Sequence, residues 1–557
     1  MSSLSGRLTL DEAAGQHWDA IVIGTGIGGA TFGYAMACAG QQVLFCERGA
    51  AHLDQAGGDG TALTGHYPEE DLAGAIARYL ALDQRLLRHA GRASDLVNDV
   101  SNRKTRSFVP FVGSGTGGSS ALYGMAMERF FPADFEPRQQ HPGDIDNSLP
   151  AAWPLSYTEL APWYSRAEAL YRVRGSVDPL RAGFDGPRSL PAPPALTPAA
   201  DWLAQHLSAT GLHPYRLPMA CEFLPGCQGC QGYICPKACK NDSARICLAP
   251  AVTEHGAQLL ADCTVVKLET LHQRVTGVVC SQPDGSQRSL RARTVALAAG
   301  ALQSPALLLR SASEAWPDGL ANRSGQVGRN LMRHCIDLHA IAPPKQARPT
   351  GGENRQKQLA FNDFYAGPAG KLGSVQSFGR LPPQRMLWAT LLDDVAHSPW
   401  AALLPLLRRA APLLTPTLRQ LEQDSMILAA TLEDLPNANN RVMLDPSQAE
   451  GLHLHYRMTA GQRQRVATLR RLIAARLRPL PVRLLKQAEN NQRLAHVCGT
   501  LRFGRSAVDS VLDADNRAHG LDNLFAVDAS FFPSSGGTNP SLTIAANALR
   551  VAHHLTG

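Results

Sequence analysis

The sequence has no uninterrupted apolar run of the roughly 18 residues that would cross a bilayer. Its first residues, MSSLSGRLTLDEAAGQHW, lack the basic head and continuous apolar stretch of a secretory signal. It also has no basic run and no interleaving of basic with aromatic residues. The excess of 54 Lys+Arg over 47 Asp+Glu leaves only +7, which bears on solubility and argues for no nucleic-acid partner. Cysteines number 12 in 557 residues, and half of them lie between Cys221 and Cys247, which does not resemble a secreted disulfide framework. These absences predict a cytoplasmic protein without a transmembrane segment. No internal repeat is found.

What remains is enough to build a large core. Apolar residues are 44% and charged residues 18%, a globular balance, and the length corresponds to about three to five ordinary domains. The first strong element is Asp19-Ala-Ile-Val-Ile23, an apolar strand running into Gly24-Thr-Gly-Ile-Gly-Gly29. A helical stretch follows, then a second strand, residues 42–46, reaching Glu47. A parallel strand covered by helices on both faces reads as such a continuous apolar run. Gly24 permits the tight turn, Gly26 lets backbone approach a pyrophosphate, and Gly29 permits close packing of helix on strand. Glu47 stands where a carboxylate accepts hydrogen bonds from an adenosine ribose. The unit predicts a dinucleotide site and leaves NAD and FAD both open.

Similar apolar segments recur at Val295–Ala299 and Leu524–Asp528, so the nucleotide domain is expected to be discontinuous. The division read from the sequence is 1–155, 210–335 and 490–557 for that domain, with 156–209 as substrate-side helices and linker and 336–489 as the substrate domain. Met426–Thr431 reads as a strand leaving the core. The leucines and Trp400 within 387–421 read as ordinary helix packing, with a lid or a membrane-facing surface as the alternative. The segments 184–198 and 345–354 read as loops.

A second glycine-rich segment, Val112-Gly-Ser-Gly-Thr-Gly-Gly-Ser-Ser120, suits the approach of another part of an extended cofactor. Together with VIGTGIGGA, the stretch 112–135, WPLSYTELAPWYSRAE, AAGALQSPALLLRSA, GQVGRNLMRH, HVCGT and the tail from Asn523 to Ala552, it closely resembles the glucose-methanol-choline (GMC) family of FAD-dependent oxidoreductases. The resemblance implies an α/β two-domain fold, a discontinuous Rossmann-type FAD domain and a substrate domain on a mainly antiparallel sheet. It implies that Gly24, Gly26, Gly29 and Glu47 hold the ADP half of FAD, with Val265 near the adenine. Gly117, Gly118 and Ser119 would approach the flavin or its ribityl-pyrophosphate, Asp528 and Ala529 the pyrophosphate-ribityl part, and Asn539 to Thr543, with Pro540 among them, the isoalloxazine. Members with covalent flavin often carry a histidine after the second glycine cluster. Residues 119–123 contain none, so the FAD is expected to be noncovalent, and Tyr123 stands where many members have asparagine.

His496 in HVCGT and Asn539 in TNPSLT match the His-Asn pair of the family. An imidazole accepts a hydroxyl proton near neutral pH and an amide orients the alcohol oxygen. The expected reaction is oxidation of a primary or secondary alcohol, on a sugar, amino sugar or biosynthetic intermediate, to aldehyde or ketone. Oxygen or another electron acceptor would complete the cycle. A flavin-containing lyase of the same fold and a noncatalytic flavin-binding protein are the alternatives. Glu433 is a further candidate, for orienting a polar substrate or tuning His496, with a structural acid as the alternative.

Cys221, Cys227, Cys230, Cys235 and Cys239 place four or five thiols within reach of one centre. An iron-sulfur cluster or zinc, one or more disulfides, and free thiols all fit this spacing, and a metal is not the favoured state. No metal ligand is therefore assigned.

Overall fold

The computed structural model describes residues 8–52, 63–70, 84–144, 148–185, 188–349, 356–379, 381–396, 398–410, 413, 424–448 and 451–557. The apolar strand begins slightly earlier than its hydrophobic run, at His17–Ile23, and lies between Val43–Cys46 and Gln287–Leu297, parallel to both. Gln258–Leu260 adds beyond Val43–Cys46, and Leu524–Ala526 pairs with Gln287–Leu297, again in parallel. Ile23 stands opposite both Cys46 and Leu297, Cys46 opposite Leu260, and Leu297 opposite Ala526. Five strands thus end level, and the loops that follow them open along one edge, where an open parallel sheet places its ligand. The strands Thr264–Leu271 and Arg274–Ser281 form an antiparallel ribbon on the other half of Gln287–Leu297.

The glycine loop is shaped by contact as much as by turning. Gly24 has φ +100°, a left-handed value that L side chains rarely adopt. The helix Ile27–Cys38 crosses the chain so closely that a Cβ on Gly28 would lie 2.0 Å from the carbonyl oxygen of Val527, and one on Gly29 would lie 2.1 Å from that of Gly24. Gly28 therefore joins two halves of the domain separated by some 500 residues of sequence. Gly28→Ala is expected to cost about 1–3 kcal/mol, the range for overpacking a filled site. A chemical denaturation curve unchanged from that of the parent would contradict this.

Two placements depart from the division read from the sequence. The helix Tyr157–Leu170, expected on the substrate side, belongs to the core of the first sheet, with Leu160 and Tyr164 buried there, and packs against the final helix Ser541–Thr556. Its start is a capping box between Ser156 and Glu159. Of the segment 156–209, the helix Pro198–Ala209 is the part that joins the second core. The domain borders also interleave. Tyr215–Arg216 pairs into the second sheet, whereas Arg441–Leu444 and Leu452–His455 form a four-stranded sheet with Val97–Asp99 and Arg106–Phe108.

The second sheet has six antiparallel strands in the order Val482–Leu485, Cys335–Ile341, Met426–Leu432, Gly373–Ser377, Leu359–Phe361 and Tyr215–Arg216. The period of two sorts its faces. Leu428, Ala430 and Leu432 pack with the helices Pro198–Ala209 and Ala460–Leu477, while Ala429 and Thr431 face the first domain across a cavity. Met426–Thr431, read as a strand, is one, extending to Leu432.

Residues 387–421 are less covered than ordinary helix packing predicts. The helix Gln384–Ala396 buries Met386, Trp388 and Leu392, but Trp400 is 68% exposed, Leu406 64% and Leu413 79%. Residues 414–423, including Leu414 and Leu418, lie outside the described residues. Among the described residues no helix is long and apolar enough to cross a membrane.

Candidate functional site

Between the level strand ends and the second sheet lies a cavity of about 760 Å³, within the usual range for a small-molecule site. Glu47, Cys263 and Val265 line it at one end, and Gln376, His496 and Asn539 at the other. The helices Ile27–Cys38 and Ser541–Thr556 begin at Gly26 and Pro540 without a side-chain cap, and both of these residues line the cavity. Two sets of free helix amides therefore border it, favourable ground for anionic oxygens. Gly26 and Gly300 also line it, and a Cβ on either would meet no protein atom within 4 Å. Bare backbone bordering open space between uncapped helices is a cradle that fits a long phosphate-bearing cofactor such as FAD.

Most residues singled out from the sequence reach this cavity: Gly24, Gly26, Glu47, Gly118, Ser119, Val265, Asp528, Ala529, Pro540, His496 and Asn539. Of the residues expected at the cofactor, three do not line it. Gly29 is used for the helix–strand contact. Gly117, at φ +86°, turns the second loop, its N–H donating to Thr25 Oγ1 at 3.2 Å. Thr543 is fully buried, its hydroxyl 2.8 Å from that of Tyr164, so its side chain is turned into the core and not into the cavity.

Glu47, expected at the ribose, lines the cavity and is also held by the chain. One carboxylate oxygen accepts from Thr25 N and Oγ1 at 3.1 and 2.6 Å, and the other from Gly49 N and Gly115 N at 2.9 and 3.1 Å. The carboxylate thereby ties both glycine-rich loops to the end of the second strand. Asp528 likewise serves the chain, accepting from Gly300 N at 2.8 Å and from Ser530 N at 2.8 Å. Tyr123 lines the cavity and donates its hydroxyl to the carbonyl of Asn241 at 2.6 Å.

His496 sits at φ +57°, a left-handed conformation uncommon for a non-glycine residue. Its Nδ1 is 2.8 Å from Nδ1 of His334, and its Nε2 is 3.5 Å from Nδ2 of Asn539. His334 Nε2 is 2.9 Å from the carbonyl oxygen of Gly536, which only accepts, so this nitrogen carries the proton. Burial pushes His334 down to about 4, outweighing the two backbone carbonyls that favour its charged form. Its neutral ring then presents an Nδ1 lone pair, His496 must donate from its own Nδ1, and His496 Nε2 is left as the acceptor. Burial, and then the neighbouring His334 and Lys357, hold His496 well below the ordinary imidazole value. Asn539 is fixed from the other side by Gln376, whose Nε2 donates to Asn539 Oδ1 at 2.7 Å.

Sequence reasoning missed His334, Gln376 and Lys357. His334 ends the GQVGRNLMRH segment already quoted for the family resemblance, so a buried histidine beside that motif was the available signal. Gln376 and Lys357 carry no local signature.

Glu433 does not line the cavity. It is fully buried, with Oε1 2.5 Å from Lys371 Nζ and Oε2 3.0 Å from His141 Nε2. Lys371 also binds Asp134 at 2.7 Å. Tyr365 completes the assembly, donating to Asp134 Oδ2 at 2.7 Å and accepting from Gly537 N at 2.8 Å. Glu433 therefore buttresses, from behind, the loop that leads to Asn539.

The thiols of the run gather as two neighbouring groups: Cys227 has its sulfur 3.9 Å from that of Cys221 and also reaches Cys239, while Cys230 reaches Cys235. Cys247 lies apart, in the first core, 3.5 Å from the hydroxyl of Tyr171. No three thiols of the run lie within 4.8 Å of one another among the described residues. The thiols that do are Cys46, Cys263 and Cys280, which are scattered in sequence and brought together by the strands Val43–Cys46 and Arg274–Ser281 and the loop just before Thr264.

Residues 18–336 and 436–548 match the two family models described as GMC oxidoreductase. The chain is 28% identical to 6'''-hydroxyparomomycin C oxidase of Streptomyces lividus, over 97% of this chain and 92% of that protein. It is 27% identical to 2-methyl-1,2-propanediol dehydrogenase of Mycolicibacterium austroafricanum, over 80% and 81%. Among solved structures it is similar to pyridoxine 4-oxidase from Mesorbium loti, with a TM-score of 0.60 and 19% identity over 97% of this chain and 99% of that one.

Proposed function

The chain belongs to the GMC oxidoreductase family, whose reaction is the FAD-dependent oxidation of a CH–OH group to a carbonyl, and from that premise we propose that His496 is the base and Asn539 the orienting partner. The observation that carries this reading is the position of His496 Nε2, 3.5 Å from the Asn539 amide nitrogen at the end of the cavity, with His496 Nδ1 taken up by His334. FAD, when bound, accepts the hydride from the alcohol carbon. His496 Nε2 takes the hydroxyl proton, and the Asn539 amide holds the substrate oxygen so that proton and hydride leave in the right geometry. Gly24, Gly26, Glu47, Gly118, Ser119, Val265, Asp528, Ala529 and Pro540 are the residues that would hold the cofactor.

The substrate is read as a primary or secondary alcohol, with oxygen or an electron-transfer partner as acceptor and the cytoplasm as location. Anaerobic mixing with a panel of alcohols is expected to bleach the flavin absorbance, and admission of oxygen then separates oxidase from dehydrogenase. A flavin that no alcohol reduces would favour the lyase reading. Because residues 119–123 hold no histidine, acid or heat denaturation should release intact FAD into the supernatant; flavin retained on the precipitated chain would contradict noncovalent binding.

The proton acceptor is the neutral imidazole, and its value is depressed well below 6.5. Protonation that disables it therefore occurs only in acid, so the acid limb of kcat/KM should lie well below pH 6.5. An acid limb at pH 6.5 or higher that vanishes on replacing His496 would overturn the depressed imidazole.

A further inference from the structure

The wall opposite His496 is built from the cavity face of the second sheet and the loop before it, including Ile336, Gln376, Phe378 and Thr431. These are apolar or neutral groups, and Gln376 is already engaged with Asn539. Lys357 interrupts them. Its Nζ lies 2.6 Å from where a Cβ on Gly124 would stand and 5.9 Å from the centre of the Phe378 ring. Among the described residues no carboxylate forms an ion pair with it; the neutral Gln231 amide oxygen, buried and without a hydrogen-bond partner, lies 2.8 Å from the same point at Gly124. The charged residues elsewhere along the cavity are Glu47, Arg48, Asp95, Arg310 and Asp528, and they belong to the nucleotide side. Arg48 and Asp95 pair with each other at 2.5 Å.

A cation on the wall of a largely apolar cavity, without a counter-charge, is costly unless the ligand supplies one. We propose that Lys357 is the substrate-anchoring group of this site, and that the alcohol it oxidises carries an anionic oxygen group, such as a carboxylate or phosphate, which the ammonium binds while the hydroxyl lies between His496 and Asn539. This rests on the alcohol-oxidation reading above and narrows it. Burial pushes Lys357 down to about 8, with the buried Glu128 pulling the other way, so the group is mainly charged at neutral pH. Glu128 is itself occupied by Thr538 Oγ1 at 2.7 Å and by the Tyr215 hydroxyl, so it does not act as a direct counter-ion. The same positive charge helps keep His496 unprotonated, and it disfavours substrates that bring an ammonium to this end.

Two measurements on the FAD-loaded protein at pH 7 test the proposal. The first is a titration with propionate, which has no hydroxyl to oxidise, followed by the shift of the bound-flavin spectrum. Propionate should bind, and Lys357→Met should weaken binding about 10- to 100-fold, the loss expected for one charge-assisted hydrogen bond. Lys357→Arg, which keeps the charge, should retain most of it. The second compares anaerobic flavin reduction by glycerate, glycerol 3-phosphate, glycerol and 3-amino-1,2-propanediol. One of the two anionic members should give the highest kcat/KM, which distinguishes carboxylate from phosphate, and Lys357→Met should erase that preference. Equal propionate affinity in the parent and in Lys357→Met, or a preference for the amine or for glycerol, would overturn the anion subsite while leaving alcohol oxidation standing. Lys357-dependent propionate binding without reduction by any alcohol would support the subsite and instead sink the alcohol-oxidation reading.

Discussion

His496→Ala, loaded with FAD to the occupancy of the parent, should reduce its flavin about 100- to 10,000-fold more slowly at saturating alcohol, the span usual for loss of a general base. The cofactor cradle lies at the level strand ends and the imidazole on a separate loop, so the variant should still bind FAD. The measurement is anaerobic rapid mixing, with occupancy determined first. A fully loaded variant that reduces at the parent rate across the pH range would remove His496 from the role of base. Asn539→Ala should behave differently. Its side chain both faces His496 and accepts from Gln376, and its loop opens the helix Ser541–Thr556, so the variant should raise KM and slow the reductive step together.

Lys371→Met should destabilise the fold by about 3–5 kcal/mol, the cost of removing one partner from a buried ion pair. Lys371, Asp134 and Glu433 are all fully buried, and the ammonium stands between the two carboxylates. Without it, two like charges face each other in a low-dielectric core. Burial works against the ionisation of Glu433, but Lys371, the His141 hydrogen bond and Arg465 outweigh it and hold the carboxyl well below its usual range. A carboxyl so depressed stabilises the fold above its unfolded-state value, and the contribution is lost as pH falls through the folded one. Calorimetry and denaturant melts of the FAD-loaded protein measure the loss. Lys371→Met combined with Asp134→Asn and Glu433→Gln should recover part of it, because the stranded charges are gone. A Lys371→Met protein as stable as its parent would show that the network contributes nothing to folding.

The parts of this protein that depend on short stretches of backbone are legible in its residues alone. An apolar strand, a glycine turn and a helix must follow one another within a few residues, so Gly24, Gly26 and the helix they start were legible from local pattern, as were the later strands near 295 and 524. The types of the reacting residues were legible too, since His496 and Asn539 lie in short motifs that carry the family resemblance. Even here the pattern was incomplete. Gly29 was read correctly as a packing glycine, but the tighter contact is made by Gly28 against Val527, which no local signal shows because its partner lies at the other end of the chain.

The tertiary structure decided everything that depends on two distant segments meeting. Helical phase turned Thr543 into the core rather than toward the cofactor. Glu433 looked like a group beside the substrate until Lys371, His141 and Asp134, from three other segments, enclosed it. Close spacing in sequence suggests that the thiols from Cys221 to Cys239 share a centre; the folded chain sets them side by side as Cys221, Cys227 and Cys239 and as Cys230 and Cys235, with no three within 4.8 Å of one another among the described residues. Two strands of the first sheet and the loop before Thr264 meanwhile gather Cys46, Cys263 and Cys280. The tautomer of His496 follows from His334, which is held in turn by the carbonyl of Gly536, and the lone charge of Lys357 is visible only once the second sheet closes the cavity. The physical reason is one of range. Turns, caps and hydrophobic period act over a few residues and are written locally, whereas hydrogen-bond direction, burial and charge pairing act over a few ångströms between residues that only the folded chain brings together.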